Sequence, residues 1–411
     1  MKRILFYAII VAIASLGLTF SGCSNDDSTT KPIGADTSKI YFGSLLSSSG
    51  DWRDLGQSAI AAISVAIKEM NDTLRARGAN FRLAVRDEDT QLNPEQALQC
   101  LGLLMRDSAY FVIGPQSSAE AQAVLNYANL NKITLISPSS TASSLAVPND
   151  YLFRLAPREA SEAQAVAQKI YNTGVRHIIT VSADDAGNLG LTSAMANAFI
   201  ALGGGSSAVS DLRMTSETDY AELAESLAAS VNLLKGRFPI ETIAVLVNGF
   251  DGTAALLASA GEIPELGTVA WFAGDGVAQN TAITNNTSAA QFAVKVNLRA
   301  AIFDVTDAKK TEYSRLIDTV TKLTGIAPNA FALSCYDAVK LIGYSYLEKG
   351  RKASREELQA AMVAYAATYN GVTGATKFDA NGDREDSYFA FYQVYKNNYG
   401  YYAWRQEAAK R

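Results

Sequence analysis

The chain has 411 residues, with 36 Lys plus Arg against 41 Asp plus Glu, a single histidine and a formal net charge of −5. No basic block occurs, which excludes the clustered Lys/Arg face that nucleic-acid binding demands. Three cysteines and one histidine leave too few soft ligands for a transition-metal centre.

The N-terminus reads as an export signal. Lys2 and Arg3 precede an almost wholly apolar stretch over 4–18, which closes on Phe20-Ser21-Gly22-Cys23. Small residues before a cysteine suit a lipoprotein signal peptidase, so 1–22 is read as a signal peptide and Cys23 as the lipidated residue. The competing reading is an uncleaved transmembrane helix, but the apolar run sits at the bottom of the spanning range. One diacyl thioether plus an N-acyl chain anchors a protein without any membrane-spanning helix. Residues 23–38 are polar and aperiodic, and read as a flexible tether. Its Asn25-Asp26-Asp27 run resembles the acidic surface-export tag of some lipoproteins, and reads equally well as solvated linker. The expected location is therefore the cell envelope, on the periplasmic face or the cell surface.

From residue 39 onward short apolar strands alternate with amphipathic helices. The pattern predicts a strand over 40–46, a helix over 56–77, a strand over 81–85 and a helix opened by Pro94 at a first-turn position. A strand at 110–113, a helix at 119–131 and a strand at 134–137 follow. The rhythm restarts after Pro157, with helices over 161–173, 192–202 and 220–234 and strands over 177–181, 243–247 and 269–272. A strand and long helices occupy 300–347, and 388–395 has the pattern of an antiparallel strand. Such alternation specifies an α/β protein with parallel sheets covered on both faces. At this length it implies two doubly wound, Rossmann-like lobes.

Catalytic constellations are missing. His177 stands alone at a strand start, and no nucleophile elbow, zinc-protease helix or phosphate loop occurs. Gly203-Gly204-Gly205 follows a helix and reads as its C-cap. Cys100 and Cys335 lie in apolar helical patterns and read as buried free thiols, although an exported protein permits a disulfide. Asp379 to Glu385 offers alternating oxygens as calcium loops do, but Asn381-Gly382 between strand-like segments is a strong tight-turn signal. The chain therefore reads as a binding protein and not an enzyme, with no cofactor.

Two hydroxyl-rich loops carry the binding chemistry. Gly114-Pro115-Gln116-Ser117-Ser118-Ala119-Glu120 follows one predicted strand, and Ser137-Pro138-Ser139-Ser140-Thr141-Ala142 follows the next. Ligands of open parallel sheets bind beyond the carboxyl ends of the strands. Helix N-termini there offer unpaired N–H groups and partial positive charge to a carboxylate, and Ser or Thr hydroxyls add neutral donors. Ser117 to Glu120 also matches a capping box, so Ser117 is expected to cap while Ser118 faces the cleft. The second lobe contributes Asn248-Gly249-Phe250-Asp251 and Gly274-Asp275-Gly276, again just after strands. An acid opposite a carboxylate-binding lobe is what an α-amino acid zwitterion needs. Asp275 is its expected ammonium partner, unless it serves as a turn or cap residue. Phe250 is placed to pack on the ligand, and Trp52, after the first strand, to shut the mouth.

At these loops the sequence resembles the type I periplasmic binding proteins, specifically the leucine/isoleucine/valine-binding branch that serves ABC importers. The resemblance covers nearly all of 39–395. It rests on Ser49-Gly50 with Gly56, Val112-Ile113-Gly114-Pro115 with Ser117-Ser118, and Ile136-Ser137-Pro138 with Ser139 and Thr141. Phe153-Arg154, Tyr336-Asp337-Ala338, Gly371-Val372-Thr373-Gly374 and Phe378-Asp379 with Gly382-Asp383 complete it. It implies a three-segment hinge, with lobe 1 formed by 39–157 and 302–368 and lobe 2 by 158–301 and 369–405. It also implies that Ser118, Ser139 and Thr141 bind the α-carboxylate, that Asp275 holds the ammonium group, and that ABC permease subunits receive the ligand. Two departures bear on the ligand's side chain. Asp184-Asp185-Ala186-Gly187 lacks the aromatic that many relatives carry before the glycine, and Leu55 stands before Gly56. The alternative expectation is an interaction or regulatory lipoprotein of the same fold, such as an activator of an envelope enzyme.

Overall fold

The computed structural model describes residues 39–106, 109–206 and 212–407. The signal-peptide and tether readings, with Cys23, fall outside the described residues.

The first sheet contains β1 (Lys39–Leu46), β2 (Arg82–Asp89), β3 (Phe111–Ile113), β4 (Thr134–Ser137) and β5 (Leu152–Arg154). All pair in parallel, in the order 2-1-3-4-5. Four of these strands were expected, and β5 is a three-residue addition too short to carry a periodicity. β2 runs four residues past its expected end. Arg86-Asp87-Glu88-Asp89 is polar, yet each residue pairs in register with 43–46 of β1, and the Ser44 hydroxyl donates to Asp87 at 2.6 Å.

The second sheet repeats the plan. Its strands are β6 (His177–Ala183), β7 (Gly205–Ser206), β8 (Leu212–Met214), β9 (Ile243–Asn248), β10 (Ala270–Ala273) and β11 (Arg299–Phe303). β6 lies between β9 and the short β7 and β8, and β10 and β11 follow β9, all in parallel. The first-formed strand of each lobe thus sits second from the edge of the parallel array. A small hairpin joins β12 (Asn370–Gly371) and β13 (Gly374–Ala375). The chain returns through β14 (Phe389–Lys396) and β15 (Tyr402–Gln406), which extend the second sheet beyond β11 as antiparallel strands.

Helices cover both faces of each sheet. α1 (Arg53–Ala76) packs on the first sheet, and α2 (Pro94–Arg106) and α3 (Ser118–Asn131) cover its other side around Leu101, Val124 and Leu135. α4 (Glu159–Asn172) and α5 (Ala186–Ala201) cover one face of the second sheet around Val166, Met195 and Phe272. α6 (Tyr220–Lys235), α7 (Gly252–Gly261), α8 (Thr281–Asn285) and α9 (Thr287–Lys295) follow in the second lobe. Then α10 (Asp307–Glu312), α11 (Ser314–Thr324), α12 (Ala330–Lys349) and α13 (Arg355–Ala366) lead back, and α11 and α12 pack against α1. Gly343 of α12 permits that approach, since a Cβ there would stand 2.4 Å from Met70 Cγ. α5 begins six residues before the expected start, because Asp185 accepts from the N–H groups of Gly187 and Asn188 and so caps an otherwise poor opening turn. Cys100 and Cys335 are buried free thiols.

Where the chain passes between sheets, charge is buried. Arg154, the last residue of β5, forms a two-pronged pair with Asp383 at 2.5 and 2.7 Å, and both side chains are 1% exposed. The Arg154 N–H donates to Gly382 O, and Arg384 N–H donates to Arg154 O. Arg384 reaches the Thr373 hydroxyl at 2.8 Å, and Thr373 in turn donates to Asp337 of α12 at 2.6 Å. Asp379 Oδ1 accepts from the N–H groups of Asn381 and Asp383, so the 379–385 segment is a tight turn. Among the described residues no acidic or soft-ligand cluster has metal-binding geometry.

Removing one partner of a buried bidentate pair leaves an uncompensated charge, a loss of about 3–5 kcal/mol. Arg154→Ala is expected to lower the urea midpoint of unfolding by a corresponding amount with an unchanged slope, and a wild-type midpoint would overturn the role assigned to the pair.

Candidate functional site

In both lobes the loops that leave the carboxyl ends of the strands converge on one another. From the first lobe come the segment after β1, the 114–118 turn after β3 and the 138–142 loop after β4. From the second come 184–187 after β6, 249–251 after β9 and 274–277 after β10. Gly114 requires its glycine, with φ +112° and a would-be Cβ 2.2 Å from Leu45 O.

Gln116 ties the first-lobe loops together. Its carboxamide accepts from Ser47 N–H at 3.1 Å and donates to Trp52 O at 3.0 Å, while its own carbonyl accepts the Ser139 hydroxyl at 2.6 Å. Ser117 caps α3 in a full capping box with Glu120. Ser118, one residue on, points across. Its hydroxyl accepts from the N–H groups of Thr141 and Ala142, each at 3.2 Å, and lies 3.1 Å from the Ser140 hydroxyl. Ser118, Ser139 and Thr141 are therefore brought together, all nearly buried, although the Ser139 hydroxyl is already committed to Gln116.

Facing them is the start of α4. Thr141 O accepts from Glu159 N–H at 2.9 Å, and Glu159 Oε1 accepts from Ser143 N–H at 2.8 Å. One turn further, Glu162 Oε1 accepts from Asp275 N–H at 2.9 Å, and the Glu162 and Asp275 carboxyls bond to each other. Asn248, at the end of β9, holds Gly274 N–H at 2.9 Å and so fixes the loop that carries Asp275. Burial pushes both carboxyls up, Asp275 to about 7 and Glu162 well above its ordinary value, with the neighbouring acids adding to the shift.

Trp52 and Phe250, placed in opposite lobes, meet at a tilt with ring centroids 4.9 Å apart, and Trp52 also meets Phe331 edge-on at 6.0 Å. Trp52 is 7% exposed and holds a left-handed backbone at φ +54°, an uncommon conformation for a bulky residue. Next to it Thr281 donates to Asp54. A Cβ on Gly187 would lie 3.3 Å from Ser118 Cβ, so α5 and α3 touch at that glycine. A cavity of about 590 Å³ opens beside these contacts, bordered by Asp51, Ser117, Asp185, Tyr220 and Phe250. A smaller one of about 30 Å³ borders Trp52 and Asp251. Ser118, Ser139, Thr141 and Asp275 border neither.

Gln116, Glu159 and Glu162 had not been singled out in the sequence. Gln116 lay inside a motif read for its serines. Two acids in a first helical turn ordinarily do no more than complement the helix dipole. The buried bond between Glu162 and Asp275 depends on a 113-residue separation along the chain, which no local pattern reveals.

The arrangement has a recognised kindred. The family model described as "Receptor family ligand binding region" matches residues 59–397, and the chain belongs to that family. A Leu/Ile/Val-binding protein of Rhizobium johnstonii is 22% identical, over 86% of this chain and 91% of its own. A leucine-binding protein of Thermotoga maritima shares the fold at a TM-score of 0.71, with 19% identity over 90% of this chain and 98% of its own. An ABC-transporter solute-binding protein of Rhodopseudomonas palustris, solved with 3,4-dihydroxybenzoic acid, scores 0.73 at 18% identity, over 90% and 97% of the two chains. These neighbours are solute-binding proteins rather than enzymes, and their shared architecture is the two-lobed type I periplasmic binding fold.

Gln116→Ala strands two buried backbone groups, each worth about 1–3 kcal/mol when left unpaired. The variant is expected to melt several degrees below wild type by circular dichroism, and an unchanged melting temperature would refute the part assigned to this side chain.

Proposed function

We propose that this chain is an extracytoplasmic solute-binding lipoprotein. In this reading it captures an amino acid or similar small carboxylate between its lobes and delivers it to the permease subunits of an ABC importer. One observation carries it. A hydroxyl and amide surface formed by Ser118, Thr141 and Ala142 faces buried carboxyls at the carboxyl edges of two parallel sheets. Amides and hydroxyls suit the carboxylate, and Asp275 suits the ammonium group of a zwitterion. Trp52 and Phe250 form the apolar lid over it. Ser139 supports the loop through its hydrogen bond to the Gln116 carbonyl. In this reading the hinge lies near 157, just after β11 (Arg299–Phe303), and near 368, since β5 ends the first sheet and β11 still pairs in the second.

In this reading a lipid anchor keeps the protein at the membrane beside the permease. No helix among the described residues is long and apolar enough to cross one. Attachment through lipid at Cys23 fits the apolar stretch and small residues before it.

A thermal-shift screen over amino acids, amides and small carboxylates is expected to raise the melting temperature with at least one amino acid. Asp275→Ala is expected to weaken that ligand about 10- to 100-fold by calorimetry, the loss of a hydrogen bond to a charged group. A flat screen would remove the solute-binding reading. Separately, labelling of growing cells with a fatty-acid analogue should mark the wild-type chain and not Cys23→Ser, and equal labelling of both would remove the anchor.

A further inference from the structure

The cavity of about 590 Å³ beside the hydroxyl loops takes its walls from both lobes, and its size is that of a small-molecule site. Two glycines keep it open. Neither Gly249, after β9, nor Gly252, at the start of α7, has a left-handed backbone, so conformational freedom does not call for a glycine at either position. Space does call for one. A Cβ on Gly249 would stand 2.6 Å from Met214 Cε and 2.9 Å from Thr253 Oγ1, and a Cβ on Gly252 would stand 2.4 Å from the Tyr220 hydroxyl. Met214, Thr253 and Tyr220 all border the cavity, so a side chain at either glycine would push its wall inward.

The chemistry of the walls is one-sided. Among the described residues the charged groups that border the cavity are Asp51, Asp184 and Asp185, and no lysine, arginine or histidine borders it. Two of the three acids are engaged. Asp184 binds Arg213 at 2.6 Å, and Asp185 caps α5 through the N–H groups of Gly187 and Asn188. Asp51 is different: among the described residues its carboxylate makes no hydrogen bond or ion pair, and the neighbouring Arg53 lies against Asp54 at 3.9 Å. Partial burial and the charge of Asp251, from the opposite lobe, push the Asp51 carboxyl up. A second unanswered group lies in the wall itself. Thr253 is fully buried, and its hydroxyl, turned to the open side of Gly249, has no hydrogen-bond partner. A buried polar group left in that condition is costly, and a ligand that reaches it relieves the cost.

We propose that this cavity holds the distal part of the captured solute and selects a chain of several apolar carbons ending in an amine or guanidinium, whose charge Asp51 meets and whose N–H groups the Thr253 and Tyr220 hydroxyls accept. The inference rests on the solute-binding reading and deepens it by naming the far end of the ligand, as in an amino acid with a basic side chain. Met214 and Phe250 border the same cavity and cover the apolar stem. Because Asp51 and Asp251 belong to opposite lobes, a cation between them offsets a repulsion that opposes closure, and binding is thereby coupled to closing. A branched aliphatic side chain leaves the Thr253 hydroxyl unpaired and Asp51 unanswered. A distal carboxylate faces three acids and no base.

The test uses matched ligands on the full chain. Thermal shift and calorimetry compare L-arginine with its uncharged isostere L-citrulline, and L-lysine with L-norleucine, beside the other standard amino acids, amides and small carboxylates. The best ligand is expected to be basic, and to bind at least about tenfold more tightly than its neutral counterpart. A best ligand without a basic side chain, or a neutral counterpart that binds equally well, overturns the distal subsite and leaves the solute-binding reading standing. Silence of the whole panel removes the reading itself, and the subsite with it.

Two variants then locate the effect. Asp51→Asn keeps the size of the side chain and removes its charge, and is expected to shrink the preference for the basic ligand over its neutral counterpart about tenfold. An undiminished preference overturns the part assigned to Asp51. Gly249→Ala sets a methyl group between Met214 and Thr253 and is expected to weaken the basic ligand on the order of tenfold. Wild-type affinity in a Gly249→Ala protein that melts like the wild type shows that the ligand does not enter this cavity, and overturns the proposal. Should that variant melt early, Asp51→Asn decides alone, since its carboxylate has no partner in the fold to lose.

Discussion

The pair formed by Arg154 and Asp383 governs how this molecule is put together. It joins the end of the first sheet to a turn that the chain reaches more than two hundred residues later, and does so with both groups withdrawn from water. Such a pair adds little net stability against an apolar substitute, but it is intolerant of misplacement. The planar fork of the guanidinium admits one geometry, and its remaining nitrogen fixes the Ala142 carbonyl. The 138–142 loop is thereby referenced to the crossover segments. Asp337, Thr373 and Arg384 carry the same linkage on to α12. Arg154, Asp383, Arg384, Thr373 and Asp337 thus form one connected polar network between the first sheet, the 379–384 turn and α12.

Much of this plan was visible in the order of residues. Strand and helix alternation gave the α/β class and the two lobes, because buried parallel strands leave continuous apolar runs such as 243–247 and covering helices leave a stripe such as Ile63, Ala66 and Met70. The strands β5, β7, β8, β12, β13 and β15 were missed. The first five are two or three residues long, and β15 is largely half-exposed at a sheet edge. The end of β2 was missed for a different reason. Its four charged residues gain a ladder only because β1 lies alongside, a tertiary effect that overrides local preference.

For the candidate site, the loops singled out in the sequence do come together, with more internal bonding than the sequence suggested. Ser118, Ser139 and Thr141 do assemble, but chiefly by holding one another and Gln116. Trp52 and Phe250 meet across the lobes, with Trp52 held in a backbone conformation that no composition rule predicts. The acids of α4 escaped notice because their significance lies in what they face. A carboxylate in a first helical turn is commonplace, and one pressed against Asp275 is not.

The packing of α12 on α1 has a consequence for how the chain is made. The first sheet and α1 are complete once residue 154 has emerged, but α12, which closes the apolar surface around Met70, begins only at Ala330. In the interval the whole of the second sheet's parallel array is synthesised as an insertion into an unfinished neighbour. The first sheet and α1 therefore keep an uncovered apolar face until α12 is made. The first lobe's packing is thus completed only by the last fifth of the chain, after the second sheet's parallel array has been made.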